Sequence, residues 1–115
     1  MSAGIVRPAR PAERFAVLAL CRDFHRASGI PFAFDPAHAS IAAQRHIEDA
    51  DKLCAVLEVD GALRGVLAAA AAISPLAPVH IAQELVFWID PAHRGRSAMR
   101  MLEAYADWAR DQGCE

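Results

Sequence analysis

The sequence carries no CxxC pair, no large excess of charge and no long apolar run, and each absence removes a class of protein. Cys21, Cys54 and Cys114 are odd in number and far apart. That leaves no spacing for a zinc or thiol-redox site and fits reduced thiols in a cytoplasmic protein. Twelve basic residues stand against fourteen acidic ones, a net charge of −2. A general polyanion such as nucleic acid is not an expected partner, and any anion site has to be local. The longest apolar run, VLAAAAAI at 66–73, is far below the roughly 20 residues that span a bilayer. The opening MSAGIVRPAR lacks the basic start, apolar stretch and cleavage site of a secretory signal. A soluble, cytoplasmic chain without membrane contact is expected. Apart from the alanines at 68–72 there is no low-complexity tract, and no internal repeat.

What is present suits one α/β domain over residues 1–115, with a hydrophobic fraction of 55% and a charged fraction of 23%. Ile5 and Val6 before Pro8 read as a short edge strand. From Pro11 a helix is expected, with Glu13 at its positive end, Phe15, Leu18, Cys21, Phe24 and Ser28 at helical spacing, and Gly29 and Pro31 as its stop. Phe32 and Phe34 lie in the following loop, where they either fold back on the core or line a substrate entrance. A second helix is expected from about Pro36 to Asp49, capped by Asp35, with Ile41, Ala42, Arg45 and His46 along it. KLCAVLEVDGALRGVLAAAAAI then holds two apolar runs around Asp60-Gly61, a pair favoured in type I′ hairpin turns. The five alanines oppose a strand by propensity, but Gly65 and the hairpin signal oppose a helix start, so a hairpin is expected. HIAQELVFWID at 80–90 reads as a third strand, buried on both sides and central in its sheet.

The last helix has the clearest pattern. Ala98, Met101, Leu102, Tyr105, Trp108, Ala109 and Gln112 form an apolar stripe opposite Arg100, Glu103, Asp107, Arg110 and Asp111, and Gly113 ends it. Between Pro91 and Leu102 stand Arg94, Arg96 and Arg100, with His93 beside them and no carboxylate. A helix starting near Ser97 presents unpaired N–H groups and the positive end of its dipole, which together suit phosphate. Gly95 permits close backbone approach, and Ser97 can cap the helix or donate its hydroxyl. The bland alternative is a solvated arginine-rich turn. His25, His38 and His46 lie on expected helices at spacings that do not converge on a metal, so they read as surface histidines and no metal site is expected.

The segment ELVFWIDPAHRGRSAMRMLEAYADWARDQG resembles the acetyl-CoA-binding segment of the GNAT N-acetyltransferases: a strand, V/I-x-P-x-x-R-G, then a helix ending in A-R-x-x-G. The upstream order of IVRPA, two helices and an Asp-Gly hairpin agrees, in the manner of phage and bacterial members. The resemblance implies a central, mostly antiparallel sheet with helices on both faces, and acetyl-CoA as co-substrate with no metal. It places the pyrophosphate on the backbone of Arg94, Gly95, Arg96, Ser97, Ala98 and Met99. Ser97 and Met99 replace the two family glycines; serine leaves its N–H available, whereas Met99 brings bulk.

The resemblance also implies that main-chain groups of Phe87, Trp88 and Ile89 pair with pantetheine and polarise the thioester carbonyl, on a strand that carries a bulge. It assigns Glu84 as general base toward the amine, against the alternative of a strand-edge charge, with His80 a weaker base and His93 a weaker phosphate contact. Family members continue past the last helix into a strand, a helix that often brings a tyrosine acid, and two closing strands. None of these follows Gly113 here, so the expectation is a partial fold with its C-terminal strands missing. The strand at 80–90 would then have an open edge, completed by a second copy in a homodimer. Tyr105 lies on the apolar stripe and is expected to pack rather than replace the acid. The implied activity is acetyl transfer to a primary amine of a small molecule or peptide. The alternative is a truncated, non-catalytic module acting in CoA binding or protein interaction.

Overall fold

The computed structural model describes residues 4–115. Four antiparallel strands, β1 (Ile5–Pro8), β2 (Lys52–Val59), β3 (Ala62–Ile73) and β4 (His80–Ile89), form a sheet in the order β1-β2-β3-β4. α1 (Arg14–Ser28) and α2 (Pro36–Glu48) precede the β2–β3 hairpin, and α3 (Arg96–Asp111) follows β4. One core joins Val17, Leu20, Ala43, Cys54, Val56 and Val66, with Val86 and Trp88 packed against it. A second joins Leu57, Leu67, Ala69, Ile89 and Met101, with Phe87, Tyr105 and Trp108 around it. Alternation along the strands thus sends one set of side chains to α1 and α2 and the other to α3, giving helices on both faces of an antiparallel sheet.

The start of the chain is fastened by charge. Arg7 on β1 reaches both Glu13, at 2.8 and 2.6 Å, and Glu58 on β2, at 3.0 and 2.6 Å. A 3-10 turn, Pro11–Glu13, leads into α1, so the helix proper begins three residues beyond the expected proline. Gly29, at φ 72°, closes α1 in the left-handed conformation. Asp35 caps α2 by accepting from the His38 N–H at 3.1 Å. The hairpin turn places Asp60 at φ 52° and Gly61 at φ 81°, the two positive values a type I′ turn needs.

The apolar stripes of the first two helices differ from the sequence expectation. α1 buries Val17 and Leu20, while Phe15 is 70% exposed beneath the guanidinium of Arg14. α2 buries Ser40 and Ala43 and leaves Ile41 exposed. Ser40 is satisfied there, its hydroxyl accepting from Arg14 Nε at 2.8 Å. In both helices the face turned to the sheet is offset from the stripe that spacing alone suggests.

The alanine run of 68–72 forms strand, as expected. Ala68 and Ala69 are buried between the layers. β4, in contrast, is not central: it is the edge strand of the described sheet, and most of residues 80–85 are exposed. Only its last four residues pack into the two cores. Past α3, Gly113 adopts φ 75°, and Cys114 forms a parallel bridge with His80, the Glu115 N–H donating to the His80 carbonyl at 2.9 Å. Phe32, one of the two loop phenylalanines, is 69% exposed rather than folded onto the core. Among the described residues no helix is long and apolar enough to cross a membrane.

Candidate active site

The end of β4 and the start of α3 enclose a groove of about 210 Å³ lined by Phe87, Trp88, Ile89, Arg94 and Ala98. A 3-10 turn, Pro91–His93, follows the strand, and Gly95 precedes the helix at φ 127° and ψ −128°, a conformation that only glycine adopts without strain. Nothing lies within 4 Å of the place where a Cβ on Gly95 would sit, so the glycine serves the backbone path and leaves its surface open.

Arg94 is held at the rim by two contacts. Its Nε donates to the Ile89 carbonyl at 2.8 Å, and its guanidinium lies 4.8 Å from the centre of the Trp88 ring. The expected three-arginine cluster is thereby reduced. Arg94 and Arg96 remain exposed at the helix start, whereas Arg100 donates to the Gly4 carbonyl at 3.0 Å and fastens α3 to the start of β1. Ser97 neither caps α3 nor points outward; its buried hydroxyl donates to the His93 carbonyl at 2.7 Å. Gly95 is the N-cap and brings no side-chain acceptor, which leaves the N–H groups of the first turn free of side-chain capping. Met99 is helical and 60% exposed, and its bulk lies outside the lining of the groove.

These features fit a pyrophosphate-bearing ligand. Among the described residues no carboxylate lines the groove, Arg94 stands in its lining with Arg96 exposed at the same positive helix end, and the strand wall is apolar. Asp90, the nearest acid in the chain, is engaged with Arg64 at 3.5 Å. The indole Nε1 of Trp88 is buried and has no hydrogen-bond partner among the described residues.

A bulge interrupts β4 next to this groove. Ala68 pairs with Val86 and Ala69 with Glu84, so Leu85 is the extra residue. Directly opposed residues share a face, which puts Glu84 with Ala69 on the α3 side of the sheet. Tyr105 senses it there: burial first, then the charge of Glu84, raises the Tyr105 hydroxyl above its usual value. Tyr105 packs among the α3-side residues and stacks on Trp108 at 6.4 Å. His80 and His93 stand at the far end of β4 and in the turn after it, so neither shares the bulge with Glu84.

The bulge turns both Leu85 and Val86 to the opposite face, where they border a second pocket of about 300 Å³. Its other walls are Cys21, Phe24 and His25 of α1, Ile30 and Phe34 of the loop, and His38, Ala39, Ala42, Ala43 and His46 of α2, with Ala68 at its base. The three histidines are therefore gathered at one pocket, a convergence that their separate positions did not show. The legible signal was the run Ala39, Ala42, Ala43 and His46 at three-and-four spacing, small residues that leave a hollow where larger ones would fill it. Among the described residues no group of three potential ligands is placed to hold a metal ion.

The acetyltransferase (GNAT) family matches residues 17–115. Solved structures agree in fold. A predicted acetyltransferase from Clostridium acetobutylicum, solved with acetyl-CoA, superposes at a TM-score of 0.85 with 14% identity, over 97% of this chain and 77% of that one. An aminoglycoside N-acetyltransferase in complex with CoA gives 0.80 and 14%, over 97% and 72%. A ribosomal-protein-alanine N-acetyltransferase from Brucella melitensis biovar Abortus 2308 gives 0.74 and 16%, over 99% and 77%. No protein of curated function matches the sequence. With the family match covering most of the chain and the same layered sheet behind it, the chain belongs to the GNAT acetyltransferase family.

Proposed function

We propose that this protein transfers an acetyl group from acetyl-CoA to a primary amine of a small molecule or peptide. The observation that carries the reading is the acid-free groove at the β4–α3 junction, where Arg94, the uncapped start of α3 and the apolar residues Phe87, Trp88 and Ile89 meet. Two of the solved relatives hold CoA or acetyl-CoA.

Bound acetyl-CoA would supply an activated acetyl carbonyl at the strand. The N–H groups of Arg96 and Ser97 and the guanidiniums of Arg94 and Arg96 would hold the phosphates, whereas the Ala98 N–H is taken up by the Gly95 carbonyl at 3.1 Å and the Met99 N–H belongs to the helical ladder. β4 is the edge strand of the described sheet, and N–H groups on its outer side would donate to pantetheine and to the thioester oxygen. Glu84, beside the bulge, would take the proton that the amine nitrogen loses as its bond to the acetyl carbon forms, while the acetyl C–S bond breaks and CoA leaves as a thiolate that takes its proton from water. From the α3 face it acts around the open strand edge, through water. The same edge, with exposed Ile81 and Leu85, suits pairing with a second copy, and three free cysteines suit a reducing cytoplasm.

Calorimetric titration with acetyl-CoA, with mass in solution measured alongside, tests the reading. Saturable binding is expected, weakened at least tenfold in Arg94→Ala/Arg96→Ala, with acetyl transfer to an amine falling on the order of 100-fold in Glu84→Gln. A folded chain that does not bind acetyl-CoA would leave an interaction module as the reading.

A further inference from the structure

We infer that the pocket between α1, α2 and the β4 bulge receives the body of the acceptor, and that this body is apolar, about one aromatic ring in size, and carries no second positive charge. The inference rests on the acetyltransferase reading for what happens at the amine, but its observations belong to the other face of the sheet.

The position comes from the bulge. Leu85 and Val86 border the pocket, and the next three residues of the same strand border the groove assigned to acetyl-CoA. A molecule seated against Leu85 therefore has its end within a residue or two of the place where the acetyl group would lie. The size comes from the hollow. A cavity of roughly 150 Å³ takes benzene, and about 300 Å³ takes one ring with a short chain.

The chemistry comes from the walls. They are apolar, and their polar members are three histidines. His25 Nε2 lies 2.7 Å from the Phe32 carbonyl and His46 Nδ1 lies 3.2 Å from the Leu53 carbonyl. Each nitrogen must carry its proton to make that bond, so the other nitrogen of each ring is left as an acceptor when the ring is neutral. These can receive hydrogen bonds from an amine or hydroxyl without presenting fixed charge. Phe34 sets its ring against His25, with centroids 5.6 Å apart, and encloses the pocket from the loop.

Charge at the rim excludes the competing class. Arg22 and Arg26 line the groove on the loop side, and Arg45 and Lys52 line the one beside α2. Among the described residues no carboxylate lines the pocket or either groove, and the acids beside them, Asp49 and Asp51, are engaged by Lys52 at 3.4 and 3.2 Å. Polyamines and aminoglycosides, which carry several positive charges, would meet Arg22, Arg26 and Arg45 at the rim and no carboxylate on the walls of the pocket.

The test uses the intact chain with acetyl-CoA present and follows backbone and methyl resonances on addition of 2-phenylethylamine, spermidine or kanamycin. Expected are saturable shifts at Ala39, Ala42, Ala43 and His46 with 2-phenylethylamine, at least tenfold tighter than with either polycation, and weakened at least tenfold in Ala42→Phe. Should that variant not fold, Ala39→Leu fills the same hollow less severely and carries the same expectation. Equal or tighter binding of spermidine or kanamycin, or 2-phenylethylamine shifts elsewhere, overturns the assignment. Absence of acetyl-CoA shifts at Arg94–Ala98 in the same samples overturns the transferase reading separately, because the two sets of resonances lie on different pockets.

Discussion

Arg94 donates from Nε to the carbonyl oxygen of Ile89 while its guanidinium covers the ring of Trp88. One side chain thus ties the start of the α3 turn to the end of β4 and presents its remaining N–H groups at the groove between them. A planar fork is required for both contacts, and lysine has none.

Arg94→Lys is accordingly expected to behave like Arg94→Ala in acetyl-CoA affinity, with a loss of about tenfold, despite the retained charge. Titration calorimetry measures it. Trp88 fluorescence, read against the Trp88→Phe chain to remove the signal of Trp108, should change on binding in the native protein. Full rescue by lysine would show that only charge matters at this rim.

The fastening of β1 predicts an acid limb in stability. The Glu13 carboxyl is held down to about 2, first by its hydrogen bond from Arg7 and also by the Arg10 backbone N–H, while burial opposes the shift. In the unfolded chain it titrates near its ordinary value, so between these limits the unfolded state binds more protons. The stabilisation is complete above the ordinary carboxylate range and drains as pH falls toward about 2. Because the group stays in partial contact with water, its worth is discounted to on the order of 1 kcal/mol. Glu13→Gln should lower stability by that amount at neutral pH and flatten the acid limb, seen in urea melts at pH 7 and pH 3. A limb of unchanged slope would place the acid sensitivity elsewhere.

Gly65, where β3 runs between Leu57 of β2 and Ile89 of β4, predicts a steric cost. A Cβ there would lie 3.2 Å from Ile89 Cγ1, from Leu57 Cβ and from the Trp88 carbonyl. Two of these atoms belong to rigid backbone or to the first atom of a side chain and cannot swing away. Gly65→Ala is expected to cost about 1–3 kcal/mol, a fall in Tm of several degrees. By shifting Trp88 it should also weaken acetyl-CoA binding. Thermal melts together with calorimetry check both, and an unchanged Tm would show that the two strands separate without penalty.

Local chemistry determined much of this protein. Asp60-Gly61 permits the type I′ turn, Gly29 and Gly113 close α1 and α3, and Asp35 caps α2, because each effect is confined to a few neighbouring residues. The strand, proline, arginine and helix of residues 84–113 placed the groove, since its walls are contiguous in the chain. Tertiary structure decided the rest. Helical spacing did not distinguish Phe15 from Val17, because which stripe of α1 faces the sheet is set by packing across the layers. The apolar richness of β4 suggested a central strand, but only its last four residues pack into the cores, and strand neighbours are set by long-range pairing. The partners of the Arg100 and Ser97 side chains, one 96 residues away and the other in the preceding turn, took both side chains out of the anion site and left Ser97 only its backbone N–H there. The pocket of three histidines needed two helices, a loop and a one-residue bulge to be brought together, and a bulge leaves no mark in a propensity.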